Sequence, residues 1–393
     1  MREMALRTLA WSIVCVLVMV PSAWAEGSLD EVLARHMEAR GGEDAWSAVH
    51  NVRATGTYDS FSKKGPFTRL QTQDGKLYME YHLGNRPVTK AHNGEFAWWV
   101  NPMREPGPKK IDGADLPVVE RERDFPNALF AADRYETTLV GPAEFEGMEV
   151  LQIDIKRADG SEESWYLDPD SFLEVALESP GSDFGRPMVQ RTFFDDFRKV
   201  GDVMIPHYIE SQWYTRLRVQ HVDSMELNVD VEPSLFTMPP PPGMEPWVAL
   251  AGNWKVVVER TPGPGAEPTQ SERTSEIELA LGDTLLQERY ESDGEGVLVS
   301  LTFDRFQNVY RRTAIDSGRG LLDVQIGTQQ EDGSIILDNL ETGTFIMGGP
   351  RKVNLRTTYS DLSSEGFVAV VEGSFDGGES WFEASRSTYQ RAD

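Results

Sequence analysis

The sequence predicts a mainly β protein of two modules: an antiparallel sheet introduced by helices, then a barrel or sandwich of short strands. Three observations predict it. Apolar and polar residues alternate with period two through most of the chain, the spacing of strands with one wet face. Helical spacing is confined to residues 28–49 and to a surface stretch from Leu116 to Phe130. The run Pro239-Pro240-Pro241-Pro242 cannot donate to a ladder and favours an extended polyproline II spacer, so the modules divide there. We place them at residues 26–237 and 247–393, joined by a linker at 238–246. The length of 393 residues agrees with two domains at roughly 100–200 residues each.

Residues 1–25 read as a secretory signal. Arg2 and Arg7 form its basic start, and Leu9 to Val20 form an apolar run too short to span a bilayer. Ala23-Trp24-Ala25 is a small-x-small cleavage site, so cut between Ala25 and Glu26 the mature chain is expected in the periplasm or outside the cell. Cys15, the single cysteine, leaves with the signal; Val14 before it and Val16-Leu17-Val18 after it fit lipidation poorly. The mature chain is then expected to have no thiol, no disulfide and no transmembrane segment.

The mature chain opens with Ser28-x-x-Glu31, a capping box, and Leu29, Val32, Leu33 and Met37 follow at helical spacing. Gly41-Gly42 stops that helix, and a second runs from Glu43 to about Val49 with Trp46 inward. Asp74-Gly75 and Asn93-Gly94 are two-residue hairpin turns between apolar runs. Residues Ile209 to Val219 read as one strand, with Ile209, Trp213, Leu217 and Val219 on one face and Glu210, Gln212, Arg216 and Arg218 on the other. Beyond the linker, strands are read at Gly252–Val258, around Ile277, Leu279 and Leu281 alternating with Glu276 and Glu278, and at 297–303, 321–326, 353–359, 367–371 and 381–389. A closed barrel removes free edges, which suits a chain without disulfides.

Composition excludes some partners. A net charge of −26 is the wrong sign for a phosphate-tracking surface, so no nucleic-acid partner is expected. No nucleophile elbow, zinc-binding helix, phosphate loop or dinucleotide-binding glycine run is present in the sequence. His36, His50, His82, His92, His207 and His221 never sit at metal-ligand spacing with one another. His207 beside Asp195-Asp196 is the nearest approach to an acid–base set, but adjacent strand residues point to opposite faces. Asp168-Pro169-Asp170 with Glu174 lacks the glycine and spacing of a calcium loop and reads as a turn. The stretch Ser374-x-Asp376-x-Gly378-x-x-Trp381 is an Asp-box, a hairpin device remote from catalysis. No catalytic set, metal or cofactor is expected.

Some strands are apolar on both faces: Tyr78 to Leu83, Phe96 to Val100, and Phe193-Phe194. Such strands need a cover on each side, either more protein or a bound apolar molecule. On that ground Tyr78, Tyr81, Phe96, Trp98, Trp99, Phe194 and Trp213 are the candidate ligand-lining residues.

The opening Leu33-Ala34-Arg35-His36-Met37-Glu38-Ala39-Arg40-Gly41-Gly42, with Val52-Arg53-Ala54-Thr55-Gly56, resembles the outer-membrane lipoprotein-sorting (LolA-like) proteins of bacterial envelopes. Trp165-Tyr166-Leu167-Asp168-Pro169 and the segment Phe197 to His207 extend the resemblance over most of residues 28–237. It implies a curved antiparallel half-barrel with helices on its concave side, able to hold acyl chains. Residues 247–393 resemble a lipocalin-like (calycin) domain, through Leu250-Ala251-Gly252-Asn253-Trp254, Phe303-Asp304 and Tyr389-Gln390-Arg391. That resemblance implies a β-barrel closed at one end by Trp254, with Arg391 or Arg386 stacked on its indole. Haem-binding relatives use an axial His, which residues 247–393 lack. The resulting expectation is a non-enzymatic exported envelope protein that binds or carries an apolar or lipid-like ligand in a β cavity. The alternatives are a protein-interaction module of the envelope and a carboxylate-dependent hydrolase of envelope lipids or sugars.

Overall fold

A computed structural model of the chain describes residues 27–105, 107–183, 185–214, 216–318 and 320–392. The segment expected to be a secretory signal, with Cys15, lies outside the described residues. The chain divides into two compact units, one of residues up to Ala97 with Ile111–Phe236, the other of Trp98–Lys110 with the residues from Thr237 onward.

The first unit begins with α1 (Leu29–Ala39) and α2 (Glu43–Ser47). The capping box forms: Glu31 N–H donates to Ser28 Oγ at 3.3 Å and Ser28 N–H donates to Glu31 Oε2 at 2.8 Å. Gly41 ends α1 at φ +115°, and a Cβ there would lie 2.4 Å from the Asp202 carbonyl oxygen, so only glycine lets the chain turn this close to the sheet. The strands that follow are β1 (Asn51–Ser60), β2 (Lys63–Thr72), β3 (Leu77–Leu83) and β4 (Arg86–His92). Next come β5 (Ala97–Val100) and β6 (Pro108–Lys110), a hairpin that goes with the second unit from Trp98 onward. After the short helix α3 (Leu116–Arg121) come β7 (Glu136–Phe145), β8 (Met148–Lys156), β9 (Glu162–Leu167), β10 (Glu174–Asp183), β11 (Arg186–Val200), β12 (Val203–Trp213) and β13 (Arg216–Leu227). The antiparallel order across this unit is β4-β3-β2-β1-β13-β12-β11-β10-β9-β8-β7.

That order has a geometric consequence. The chain meanders from β1 out to β4, then restarts at the far edge with β7 and meanders back until β13 pairs with β1, Val52 opposite Leu227. Residues 111–135 must therefore cross one face of the sheet, and they carry α3 and a 3-10 segment, Ala128–Arg134. The single surface helix expected at Leu116 to Phe130 is thus two short pieces. Pro117 fits the first turn of α3, whereas Pro126 bars helix from continuing.

The strand expected at Ile209 to Val219 is a hairpin. β12 ends at Trp213, Tyr214 takes a left-handed φ of 52°, and Trp213 pairs with Arg216 across the turn. A two-residue turn exchanges parity: odd-numbered residues face the concave side before it, even-numbered ones after it. Leu217, placed with Trp213 by periodicity, is 45% exposed as a result.

In the second unit α4 (Glu245–Val248) leads into β14 (Gly252–Arg260), β15 (Thr269–Ala280), β16 (Leu285–Ser292), β17 (Glu295–Asp304), β18 (Val309–Asp316), β19 (Leu321–Gln329), β20 (Ile335–Asp338), β21 (Ile346–Gly348), β22 (Arg351–Ser360), β23 (Gly366–Ser374) and β24 (Phe382–Arg391). The β14–β24 and β20–β22 pairings close it, so among the described residues ten antiparallel strands form a ring, with β21 attached to β22. Lipocalins close with eight. Trp254 is fully buried, donates from Nε1 to the Leu250 carbonyl at 2.8 Å, and carries the Arg391 guanidinium 4.2 Å above its ring. Arg391 fills this role because β14 and β24 set it directly opposite Trp254, while Arg386 pairs with Glu383. The Asp-box forms its turn through Asp376, which accepts from Ser374 Oγ and Ser380 N–H, but Trp381 is half-buried beneath Arg356 rather than anchored in the core.

The barrel interior is packed. α4 inserts Trp247 edge-on to Tyr310 and Tyr359, and Leu286, Leu301, Ile335, Leu337 and Phe367 surround them. Beside this core lies a buried polar cluster. Glu288 accepts from Ser275 Oγ at 2.6 Å and Tyr389 Oη at 2.7 Å; Asp323 accepts from Gln325 Nε2 and Asn339 Nδ2, each at 2.8 Å. Arg312, 3.8 Å from Asp323, donates to Tyr359 Oη at 2.9 Å. Replacing Asp323 by leucine strands those donors and leaves Arg312 uncompensated. Asp323→Leu is expected to cost about 3–5 kcal/mol in chemical denaturation, whereas an exposed control such as Asp332→Asn should stay within about 0.5 kcal/mol.

Candidate functional site

Side chains from many strands of the first unit converge on one hollow. Ala54 of β1, Arg69 and Gln71 of β2, Met79 of β3, Trp165 of β9, Leu177 of β10, Phe194 of β11, Ile209 of β12 and Gln220 of β13 all line it. A sheet this wide can present so many strands to one space only by curling, as twisted sheets do. The fourth wall is the crossing segment, through Val118, Arg121, Glu122 and residues 124–128, with Arg40 and Trp46 from the N-terminal helices. The hollow holds about 220 Å³. A polar hollow of about 600 Å³ lies beyond it and shares Trp46, Asp124, Phe125, Pro126 and Arg157, which form the partition.

The walls differ in chemistry. One is apolar: Trp165 and Phe194 stack at 5.9 Å with planes 7° apart, joined by Leu177, Ile205, Ile209 and Met225. The other is charged. Arg40 donates to Glu174 and, through Nε, to the Met204 carbonyl at 2.6 Å; Asn127 also donates to Glu174. His36, one turn before Arg40 on α1, donates from Nδ1 to the Phe172 carbonyl at 2.8 Å and sets Nε2 3.7 Å from Glu174. Arg157 reaches Asp124 at 2.5 Å and Glu163 at 2.7 Å, with Tyr135 Oη donating to Asp124 at 2.6 Å. Gln71 Nε2 donates to the carbonyls of Glu122 at 3.0 Å and Asp124 at 2.6 Å, tying the crossing segment to β2. Several buried polar atoms of residues lining the hollow have no partner within the protein: Arg69 Nε, Arg121 Nη1, Trp165 Nε1, Glu163 Oε2, Glu174 Oε2 and Gln220 Oε1. Such atoms are expensive to leave dry, so a cluster of them marks a space meant for water or a guest.

The residues singled out from sequence separate. Phe194 lines the hollow. Tyr81 and Trp213 face the same concave side but fill it: Tyr81 lies 4.3 Å from the Tyr58 ring among Phe67, Met79 and Leu83, and Trp213 is buried under Arg218 at 4.0 Å. Tyr78 points to the opposite face and donates to Glu80 at 2.9 Å. Phe96 is half-buried at the turn after β4, where its N–H donates to Asn93 Oδ1. Trp98 and Trp99 belong to the second unit, where Trp99 Nε1 donates to Glu105 at 3.0 Å. Phe193, the neighbour of Phe194, joins Phe145 and Tyr166 on the other face. Of the two-sided apolar strands, β3 and β11 therefore turn one flank to the hollow or its filling, the other flank carrying half-buried Tyr78 on β3 and Phe193 packed with Phe145 and Tyr166 on β11, whereas Phe96, Trp98 and Trp99 do not line the hollow.

The charged wall was not foreseen. Its arginines and acids lie far apart in sequence, and the one legible trace was His36 and Arg40 spaced four apart on a helix. His207 is buried with Nδ1 donating to the Ile205 carbonyl at 3.0 Å, and Asp196 is exposed and paired with Arg198. Asp168 accepts from the Asp170 and Ser171 N–H groups as a turn, while Glu174 is drawn away to Arg40. Among the described residues no group of three His, Asp or Glu is placed to hold a metal, and no helix is long and apolar enough to cross a membrane.

Burial holds the His36 imidazole below its ordinary value against the opposing pull of Glu174, and Arg40 and His36 hold the Glu174 carboxyl low despite its burial. A lowered histidine binds its proton more readily unfolded. Its contribution to stability is therefore full above about pH 6.5 and lost as pH falls below it. Glu174 adds a second loss, below the ordinary carboxylate range. Urea midpoints are expected to fall between pH 7.5 and pH 5, and His36→Gln should flatten that fall. His92, held low by burial and Arg123, should retain part of it.

Residues 247–391 match a family model described as a protein of unknown function, DUF1579. No curated protein matches the chain. Solved structures similar to it include a LolA superfamily protein from Nitrosomonas europaea, at 12% identity and TM-score 0.38, covering 54% of this chain and 98% of that one. A DUF1329 family protein from Desulfovibrio piger gives the same identity, TM-score and coverage. Rv2717c from M. tuberculosis is also similar, at 12% identity and TM-score 0.32, with 39% of this chain and 100% of that one covered.

Proposed function

We propose that this protein is an exported, non-enzymatic binding or carrier protein, and that the hollow of its first unit holds a small lipid-like molecule. The observation that carries the reading is the mixed lining: aromatic and aliphatic side chains beside a polar set with buried unpartnered atoms. A guest with an apolar body fits the first, and its polar end fits the second. A volume of about 220 Å³ suits a short chain or part of a longer one, being on the order of seven waters at ~30 Å³ each. Export to the envelope is supported by the signal pattern of residues 1–25.

Solvent extraction of the purified protein followed by mass spectrometry tests this directly; a stoichiometric amphiphile is expected, and a bare protein with no affinity for apolar dyes counts against it. Ile209→Trp, which fills the hollow from β12, should weaken dye binding about tenfold while stability changes by less than ~1 kcal/mol.

A second reading, a protein-docking role, is favoured by one feature of the second unit. Leu281 and Phe306, 78% and 87% exposed, line one shallow hollow of about 430 Å³ with Pro241, Pro242 and Phe303. Exposed apolar side chains gathered in this way mark contact surfaces. Leu281→Ser with Phe306→Ser should abolish capture of an envelope partner while leaving dye binding in the first unit unchanged.

A further inference from the structure

We propose that the guest of the first unit is an amphiphile with one anionic oxyacid head, a carboxylate or a phosphate, received by Arg69 and Arg121; this rests on the binding role proposed above. The argument follows the charge partners along the polar wall. Glu174 is taken by Arg40, Asp124 and Glu163 by Arg157, and Glu122 by Lys90 at 2.6 Å. Each acid lining the hollow thus touches a cation, but Arg157 is shared by Asp124 and Glu163, so three cations meet four carboxylates and Arg69 with Arg121 bring one positive charge in excess. Arg69 and Arg121 are the lining cations left over, and among the described residues neither makes an ion pair. Arg69 has one long contact, Nη2 to Gln71 Oε1 at 3.5 Å, and its Nε has no partner. Arg121 gives one Nη2 hydrogen to the Pro180 carbonyl, and its Nη1 has no partner.

Burial pushes both guanidinium groups below their ordinary range; Glu122 offsets this only in part for Arg69, and Glu163 ahead of Glu122 only in part for Arg121. Arg121 is the last residue of α3, and both arginines line the hollow with Glu122. A guanidinium kept out of water without a counterion is a standing cost, and a forked donor pair matches an oxyanion in shape and charge. Trp165 Nε1, also unpartnered, adds a third donor where the polar wall meets the stacked Trp165–Phe194 pair. Glu163 Oε2 and Glu174 Oε2 lack hydrogen-bond partners too, but each belongs to a carboxylate already in contact with an arginine.

The test is calorimetric titration of the delipidated full chain with octanoate, octyl phosphate and octan-1-ol, which share a tail and differ in head. At least one anion should bind about tenfold more tightly than the alcohol, as charge-assisted hydrogen bonds predict. The tighter of the two anions assigns the head as carboxylate or phosphate. Arg69→Gln and Arg121→Gln should each lower anion affinity about tenfold and leave octan-1-ol binding unchanged. Equal affinity for alcohol and anions, or anion binding indifferent to both substitutions, overturns the anionic head and leaves the binding role standing. Binding of none of the three overturns both. If either variant fails to fold, the head-group comparison on the unaltered protein decides alone.

Discussion

The first unit depends on one buried ion pair. Arg40 caps α1, grips Glu174 at the start of β10, and reaches the Met204 carbonyl on β12, while Asn127 of the crossing segment bonds the same carboxylate. Helix, sheet and crossing segment thus meet at one carboxylate with almost no solvent exposure. Inside such a knot removal of one partner leaves an uncompensated charge, which makes the arrangement all-or-none rather than adjustable. Its consequence is spatial. With the helices and residues 111–135 held off the floor of the sheet, the concave face closes on space instead of collapsing onto itself.

The two units solve the same problem differently. Each is a β surface curled round its own inner face. In the second unit the ring is complete, α4 drives Trp247 into one end, and the interior is filled by aromatic core and a charge-balanced polar cluster. Arg312 and Asp323 neutralise each other there, as do Arg273 and Glu288 at 3.6 Å. In the first unit the sheet stays open and helices supply the cover, and the charge pairing comes out uneven, with two guanidinium groups unmatched. Arg69 and Arg121, which make no ion pair among the described residues, stand in the lining beside Trp165 and Phe194.

Much of the fold was legible in the residues. Gly41 and Gly42 end α1 where they must, the prolines at 239–242 fall where the second unit resumes, and Trp254 opposite Arg391 closes the barrel. The site was less legible, and the reason is parity. Tyr78 and Met79 are neighbours, yet one meets solvent and the other the hollow. Tyr214 carries no turn signal, so the hairpin between β12 and β13 was invisible and Leu217 was set on the wrong face.

The sequence by itself determined the strand-rich architecture, because periodicity and turn chemistry are local properties written within a few residues. Only the tertiary structure decided that Trp98–Lys110 join the second unit and that one wall of the hollow is charged. Arg40 and Glu174, Arg157 and Asp124, Lys90 and Glu122 are separated by 134, 33 and 32 positions, and which cation reaches which acid follows from how the sheet curls. The two arginines that make no ion pair are visible only once the contacts of the other charges on that wall are known.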